Sequence, residues 1–212
     1  NINRIDQKKN KFVALLGHHK PHRTDFLKKI RKEIKKNPLD VKGYFGGFDY
    51  GKIDADEHQD NHIDDDFLKD RFIAKEWLWN TKLWVAHETH CTYEGQEPEY
   101  VNAPITEKTW KPIIAGHPFM TLANARHYPY LHELGFKTFD GIINEDWTKL
   151  NRWQDAIKWM LKQIITVTES DLQDFVTQCK PIVTHNKKQF WTLYDSYIAD
   201  TQAKINQLFD LG

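Results

Sequence analysis

The sequence predicts an α/β fold, with a parallel sheet flanked by helices and a helical tail at its end. Three observations lead there. Between residues 11 and 140, short apolar runs alternate with segments whose apolar residues recur at helical spacing, the signature of strands and helices laid down in turn. The apolar runs read as buried strands rather than half-exposed ones. From Asn151 onward the strand pattern stops and only helical periodicity remains. The expected division is an α/β domain over residues 1–150 and a helical extension packed on it over 151–212.

The elements follow in order. Lys11–Gly17 (KFVALLG) is the first strand, and Pro21–Lys36 the first helix, with Phe26, Leu27, Ile30 and Ile34 on one face and mostly Lys and Arg on the other. Val41–Phe48 (VKGYFGGF) is the second strand, its glycines marking turns or close backbone approach. An acidic interruption covers Asp49–Asp66. The sheet resumes at Lys82–Ala86 (KLWVA), followed by a turn-rich stretch to Asn102, a helix over Thr106–Ala115 and a strand over His117–Leu122. A helix is expected over Tyr128–Leu134, and a last strand or extended segment over Lys137–Ile143. In the tail, Trp153, Ile157, Met160, Leu161 and Ile164 mark one helix. Ser170 with Gln173 makes a capping-box pattern that starts a second, and Phe190, Leu193, Tyr194, Tyr197 and Ile198 mark a third. Aromatic stripes at this spacing are read as packing.

Composition narrows the function. The 212 residues carry 30 Lys+Arg and 30 Asp+Glu, for no net charge, so phosphate-neutralising contact with duplex nucleic acid is not expected. With 40% hydrophobic residues and 8 Trp the chain has material for a core and is not of the disordered class. Two cysteines, Cys91 and Cys179, make no disulfide scaffold and fit a reducing compartment. No apolar run approaches the roughly 20 residues of a membrane span, and no signal-peptide pattern is present. A cytoplasmic protein without membrane partners is expected.

The common catalytic signatures are missing: no P-loop, no G-x-S-x-G elbow, no G-x-G-x-x-G. The acidic stretch places Asp54, Asp56, Asp60 and Asp64–Asp66 around His58 and His62, yet it lacks the turn glycine and final glutamate of a calcium loop and reads as a solvated loop. His87-Glu88-Thr89-His90 has its histidines too close for the H-E-x-x-H zinc motif and follows a strand, not a helix. No metal is expected. Instead it reads as a polar loop at a strand's carboxyl end, where α/β sheets make ligand contacts.

Two segments carry chemistry. In Ile105-Thr106-Glu107-Lys108-Thr109-Trp110-Lys111-Pro112, a Thr precedes Glu and Lys at a helix start. The helix N-terminus offers unpaired N–H groups to an anion, Lys108 a positive charge for a diphosphate, and Glu107 an acceptor for ribose hydroxyls. An ordinary helix cap with an exposed lysine explains the same spacing. Pro112 requires the helix either to begin nearer Thr109 or to kink. The second segment, His18-His19-Lys20-Pro21-His22-Arg23, is a basic turn leading into a helix after a strand, with Arg23 suited to bidentate phosphate contact and the histidines as secondary candidates.

Together KFVALLGHHKPHRTDFLKKI, WVAHETH, ITEKTWKPIIAGHPFM and YLHELGFKTFD resemble, in this order over about residues 11–150, the donor-binding half of fucosyltransferase-like glycosyltransferases of the GT-B type, closest to their phage and bacterial relatives. The resemblance implies a Rossmann-like domain that binds a nucleoside-diphosphate sugar, a GDP-sugar foremost, with no other cofactor, and transfers the sugar with inversion to a hydroxyl acceptor. It implies that Glu107 holds the ribose, that Lys108 and Arg23 hold the diphosphate, and that Thr106 and Glu88 belong to the same site, Glu88 without an assigned role; His22, from the basic turn, joins them as a phosphate candidate. No catalytic base follows from it. The sequence departs from the motif at Pro104, where an aromatic is usual. The acceptor-side half has no counterpart in these residues. Two other readings stay open: a non-catalytic nucleotide or sugar-nucleotide binding module serving as an interaction domain, and a phage-type transferase acting on DNA.

Overall fold

The computed structural model describes residues 12–16, 20–36, 43–46, 81–88, 91, 105–150 and 152–208. The acidic stretch, His18, His19, Thr89, His90 and Pro104 lie outside them. Four strands form one parallel sheet: β1 (Phe12–Leu15), β2 (Gly43–Gly46), β3 (Leu83–His87) and β4 (Phe119–Leu122), in the spatial order β2-β1-β3-β4. Phe12 is level with Gly43 on one side and Leu83 on the other, and Trp84 is level with Phe119. Neighbouring residues of a strand point to opposite faces. Because all of Leu83–His87 is buried, both faces of β3 are covered, as a parallel sheet demands.

The chain runs from β1 outward to β2, then crosses to the other side of β1 for β3. That reversal creates a topological switch point at the carboxyl ends of β1 and β3, where open α/β sheets leave a crevice. Among the described residues the helices are α1 (Pro21–Lys36), α2 (Glu107–Ala115), α3 (His127–Glu133), α4 (Trp153–Glu169) and α5 (Leu172–Leu208), with one 3₁₀ turn over Asp146–Lys149. α1 packs with α4, and α2 with α5. The core joins sheet and tail: Phe12, Trp84, Phe119, Phe139, Trp147, Ile157 and Met160 are all buried in one cluster. Among the described residues no helix is long and apolar enough to cross a membrane.

Several expectations are corrected. Lys137–Ile143 is not a strand: the amides of Ile142 and Ile143 both turn back to the Phe139 carbonyl. The backbone groups a neighbouring strand would take are engaged by side chains instead. Glu145 accepts from the Phe139 amide (2.8 Å), and Asn186 bonds both the amide (2.8 Å) and carbonyl (2.7 Å) of Lys137. The second and third tail helices are one continuous α5 of 37 residues. The polar stretch between the two apolar patterns is a docking face. His185 donates to the Gly135 carbonyl, Gln189 to that of Leu134, and Asn186 holds Lys137. α5 is capped by Asp171, which accepts from the Asp174 amide (2.9 Å), while Ser170 closes α4 by donating to the Val167 carbonyl (2.7 Å). Buried Lys82 donates to the carbonyls at that same end of α4, nearest to Ser170 (2.6 Å), which suits a cation at a helix C-terminus.

Candidate functional site

The switch point gathers the residues that the sequence singled out. Strand β3 ends in His87 and Glu88. The first turn of α1 brings His22 and Arg23 to them, and the first turn of α2 brings Thr106 to Thr109. Arg23, 1% exposed, donates from Nη2 to the His87 carbonyl (2.9 Å). His22 Nε2 donates to the Glu88 carbonyl (3.2 Å). A cationic turn is thus fastened to the end of the strand by its side chains.

Glu88 is the hub of the site. Only 3% exposed, it receives the Thr106 amide (3.2 Å) and the Thr109 hydroxyl (2.8 Å) on Oε1 and the Thr106 hydroxyl on Oε2. It therefore puts a carboxylate at the N-terminus of α2, where the unpaired amides and the helix dipole favour negative charge. Behind it, Thr109 Oγ1 lies 3.3 Å from His127 Nε2. The Thr109 proton goes to Glu88, so the histidine must be the donor in that pair. His87 and Glu88 face different helices: the His87 ring packs edge-on against Phe26 of α1, centroids 4.4 Å apart, while Glu88 faces α2. They do not converge on one metal position.

α2 begins at Glu107 and runs through Pro112 without restarting at Thr109. Thr106 is the N-cap, its hydroxyl oxygen accepting from the Lys108 amide (3.3 Å). Pro112 withholds the amide that would otherwise reach the Lys108 carbonyl. Gly116 ends the helix at φ 64°, the left-handed conformation glycine adopts without strain. Lys108 Nζ pairs with the Glu107 carboxylate (2.7 Å), the lysine side chain 19% exposed and the glutamate 61%. Glu107 is the exposed member of the group, and Lys108 and Thr106 are half-buried.

Burial and charge set the protonation states. Burial, helped by the neighbouring Arg23, lowers His22 to about 4. His87 is held well below the usual histidine range by burial, then by His22 and Arg23. Burial alone lowers His127 to about 4. All three are neutral at pH 7, so the positive charge of the site comes from Arg23 and Lys108, with Lys20 acting on His22 and Lys111 on Glu107. Burial works upward on Glu107, but its bond to Lys108 and the charges of Lys108 and Lys111 outweigh it and keep the carboxyl low. Cys91, beside the carbonyls of Leu122 and Glu88, is pushed up to about 12 by burial, with Arg23 opposing and Glu88 adding, so its thiol stays protonated at pH 7.

All six sequence-derived site residues, His22, Arg23, Glu88, Thr106, Glu107 and Lys108, belong to this one region. Sequence reasoning passed over Thr109 and His127, and named His87 only as part of the polar loop that ends its strand. The Thr106-x-x-Thr109 spacing was the available signal for the first, since both hydroxyls of one helix turn can reach one acceptor. Nothing local pointed to His127, which arrives from α3. Comparison of the chain with protein-family models, curated proteins and solved structures finds no match.

Proposed function

We propose that the chain is the donor-binding domain of a nucleotide-sugar-dependent glycosyltransferase of the fucosyltransferase-like, GT-B kind. The observation that carries this reading is the convergence, at the switch point of a parallel sheet, of two helix N-termini, a buried arginine and the Thr106-Glu107-Lys108 turn on the end of β3. In the proposed reaction the bond between the sugar carbon and the diphosphate oxygen breaks as the acceptor hydroxyl oxygen bonds that carbon from the opposite face. The hydroxyl proton leaves to a base that these residues do not supply. Charge develops on the departing diphosphate, and fixed positive groups there lower the barrier. Lys108 contacts the diphosphate and leaves its pair with Glu107, whose carboxylate is then free for the ribose hydroxyls. Buried Arg23 adds its charge from behind.

The test is calorimetric titration with GDP, UDP and ADP. Micromolar binding of one of them, GDP foremost, is expected, with loss of at least about tenfold in Lys108→Ala. Lys108 is the cleaner probe, because Arg23→Ala also removes a buried bond to β3. No binding at millimolar nucleotide defeats the reading.

One observation favours a second reading, a non-catalytic binding or interaction module. Glu88 already occupies the anion position at the start of α2, and Arg23 is bonded to the His87 carbonyl. Release of nucleoside diphosphate that depends on an added hydroxyl acceptor separates the two. A transferase releases it, and a module binds without turnover.

A further inference from the structure

The side chains around Glu88 form a chain of hydrogen bonds longer than a helix cap requires. At one end is His127, the first residue of α3 and 1% exposed, which donates from Nε2 to the Thr109 oxygen (3.3 Å). Thr109 gives its own proton to Glu88 Oε1 (2.8 Å). The other carboxylate oxygen receives the Thr106 hydroxyl. The Thr106 oxygen in turn accepts from the Lys108 amide (3.3 Å) and, at 3.4 Å, from the Lys108 ammonium. Two arms therefore meet at Glu88, and together they join α3 to the ammonium of Lys108.

Donor and acceptor counts fix the direction of every link. A carboxylate only accepts, so both threonine hydroxyls point to Glu88. A hydroxyl that gives its proton away keeps two lone pairs. Those of Thr106 go to the two Lys108 nitrogens, and Thr109 takes a proton from His127. His127 thus carries its proton on Nε2, which leaves Nδ1 of the neutral ring a bare acceptor. Among the described residues Nδ1 has no hydrogen-bond partner. Buried polar atoms are rarely left alone. An apolar side chain would fill the same space with no such atom, so the bond made by Nε2 is what the ring contributes.

We infer that His127 is a positioning residue for Lys108. It holds the Thr109 hydroxyl on Oε1, which turns the Glu88 carboxylate so that Oε2 holds Thr106, and the Thr106 oxygen steadies the ammonium. The inference rests on the donor-site reading, in which Lys108 exchanges Glu107 for a diphosphate. In that exchange Thr106 is the partner that stays. His127 touches no ligand and acts only through the chain.

Calorimetric titration with GDP, or with UDP or ADP if the parent chain prefers it, tests this. His127→Leu is expected to weaken binding about fivefold, and His127→Gln, whose amide can donate to Thr109, to stay within about twofold of the parent. Thr109→Val cuts the same chain one link further on. It should lose at least as much as His127→Leu, and adding His127→Leu to it should change nothing further, whereas a merely structural loss would persist in the double variant. Imidazole ¹⁵N spectra of the parent, which need no variant, are expected to show His127 protonated on Nε2. Protonation on Nδ1, equal affinities of the leucine and glutamine variants, or a His127→Leu loss undiminished in the Thr109→Val chain overturns the inference and leaves the donor site standing. A parent chain that binds none of the three nucleotides at millimolar concentration defeats the donor reading itself, and the inference with it.

Discussion

Replacing Glu88 by alanine tests the construction of the site at its hub. The substitution removes the acceptor of the Thr106 amide, the Thr106 hydroxyl and the Thr109 hydroxyl, in a place almost closed to water. A hydrogen bond to an ionised group contributes about 1.5–3 kcal/mol, and a buried donor left alone costs about as much as it gained. The Thr109 hydroxyl can turn toward His127, 3.3 Å away, once the imidazole shifts its proton to Nδ1, so the three losses do not add in full. A total of about 3–5 kcal/mol follows. For a chain of this size that lowers Tm by roughly 10 °C. Glu88→Gln keeps the volume and one oxygen for Thr109, and its amide can donate to a threonine oxygen, so it is expected to lose only about 1–2 kcal/mol. Urea unfolding of the three proteins gives both differences. An alanine variant within about 0.5 kcal/mol of the parent, or a glutamine variant as damaged as alanine, would refute the idea that this carboxylate organises the start of α2.

Three further outcomes follow from buried groups. His22 and His127 are lowered to about 4, so between there and the unfolded value near 6.5 the unfolded chain binds more protons; stability is full above this window and falls as pH falls through it, and urea midpoints from pH 7 to pH 4 should show a slope that His127→Gln reduces. Glu145 has the opposite sign: burial above all, with Asp140 adding and its bonds to Thr138 and Phe139 opposing, raises it to about 7, so its ionisation destabilises the fold as pH rises from the unfolded value. Glu145→Gln should therefore gain about 1–3 kcal/mol near pH 8 and nothing near pH 4.5, a difference read from paired urea curves. His87 is fully buried with neither ring nitrogen bonded, while Arg23 and its neighbours hold the backbone there, so His87→Leu should leave stability within about 1 kcal/mol or raise it; a loss above about 2 kcal/mol in thermal unfolding would contradict that.

What the sequence disclosed depended on whether a feature was local. Periodicity placed α1 at Pro21–Lys36, because Phe26, Leu27 and Ile30 define a single buried face. The apolar runs located the strands of the described sheet; β3 and β4 are buried along their whole length, and a strand covered on both faces has no polar alternation to obscure it. The failures were tertiary. Lys137–Ile143 has strand composition, yet Glu145 and Asn186, one of them distant in the chain, take the backbone groups that a ladder would use. His185, Asn186 and Gln189 carry no apolar signal of their own; their partners come from the turn at Leu134–Lys137. The site shows the same division. Arg23, Thr106 and Lys108 are visible because helix starts have a local grammar. That Glu88 binds Thr109, and that Thr109 binds His127, depends on α2 and α3 meeting over the end of β3.

The central claim is that a nucleoside diphosphate binds at the carboxyl ends of β1 and β3. Its most direct measurement is an amide chemical-shift titration of the ¹⁵N-labelled chain with GDP, extended to about millimolar nucleotide. The account predicts saturable shifts at His22, Arg23 and Glu88 and over Thr106–Thr109, largely abolished in Lys108→Ala. No shift at that concentration, or shifts confined to residues away from those two helix starts, would contradict it.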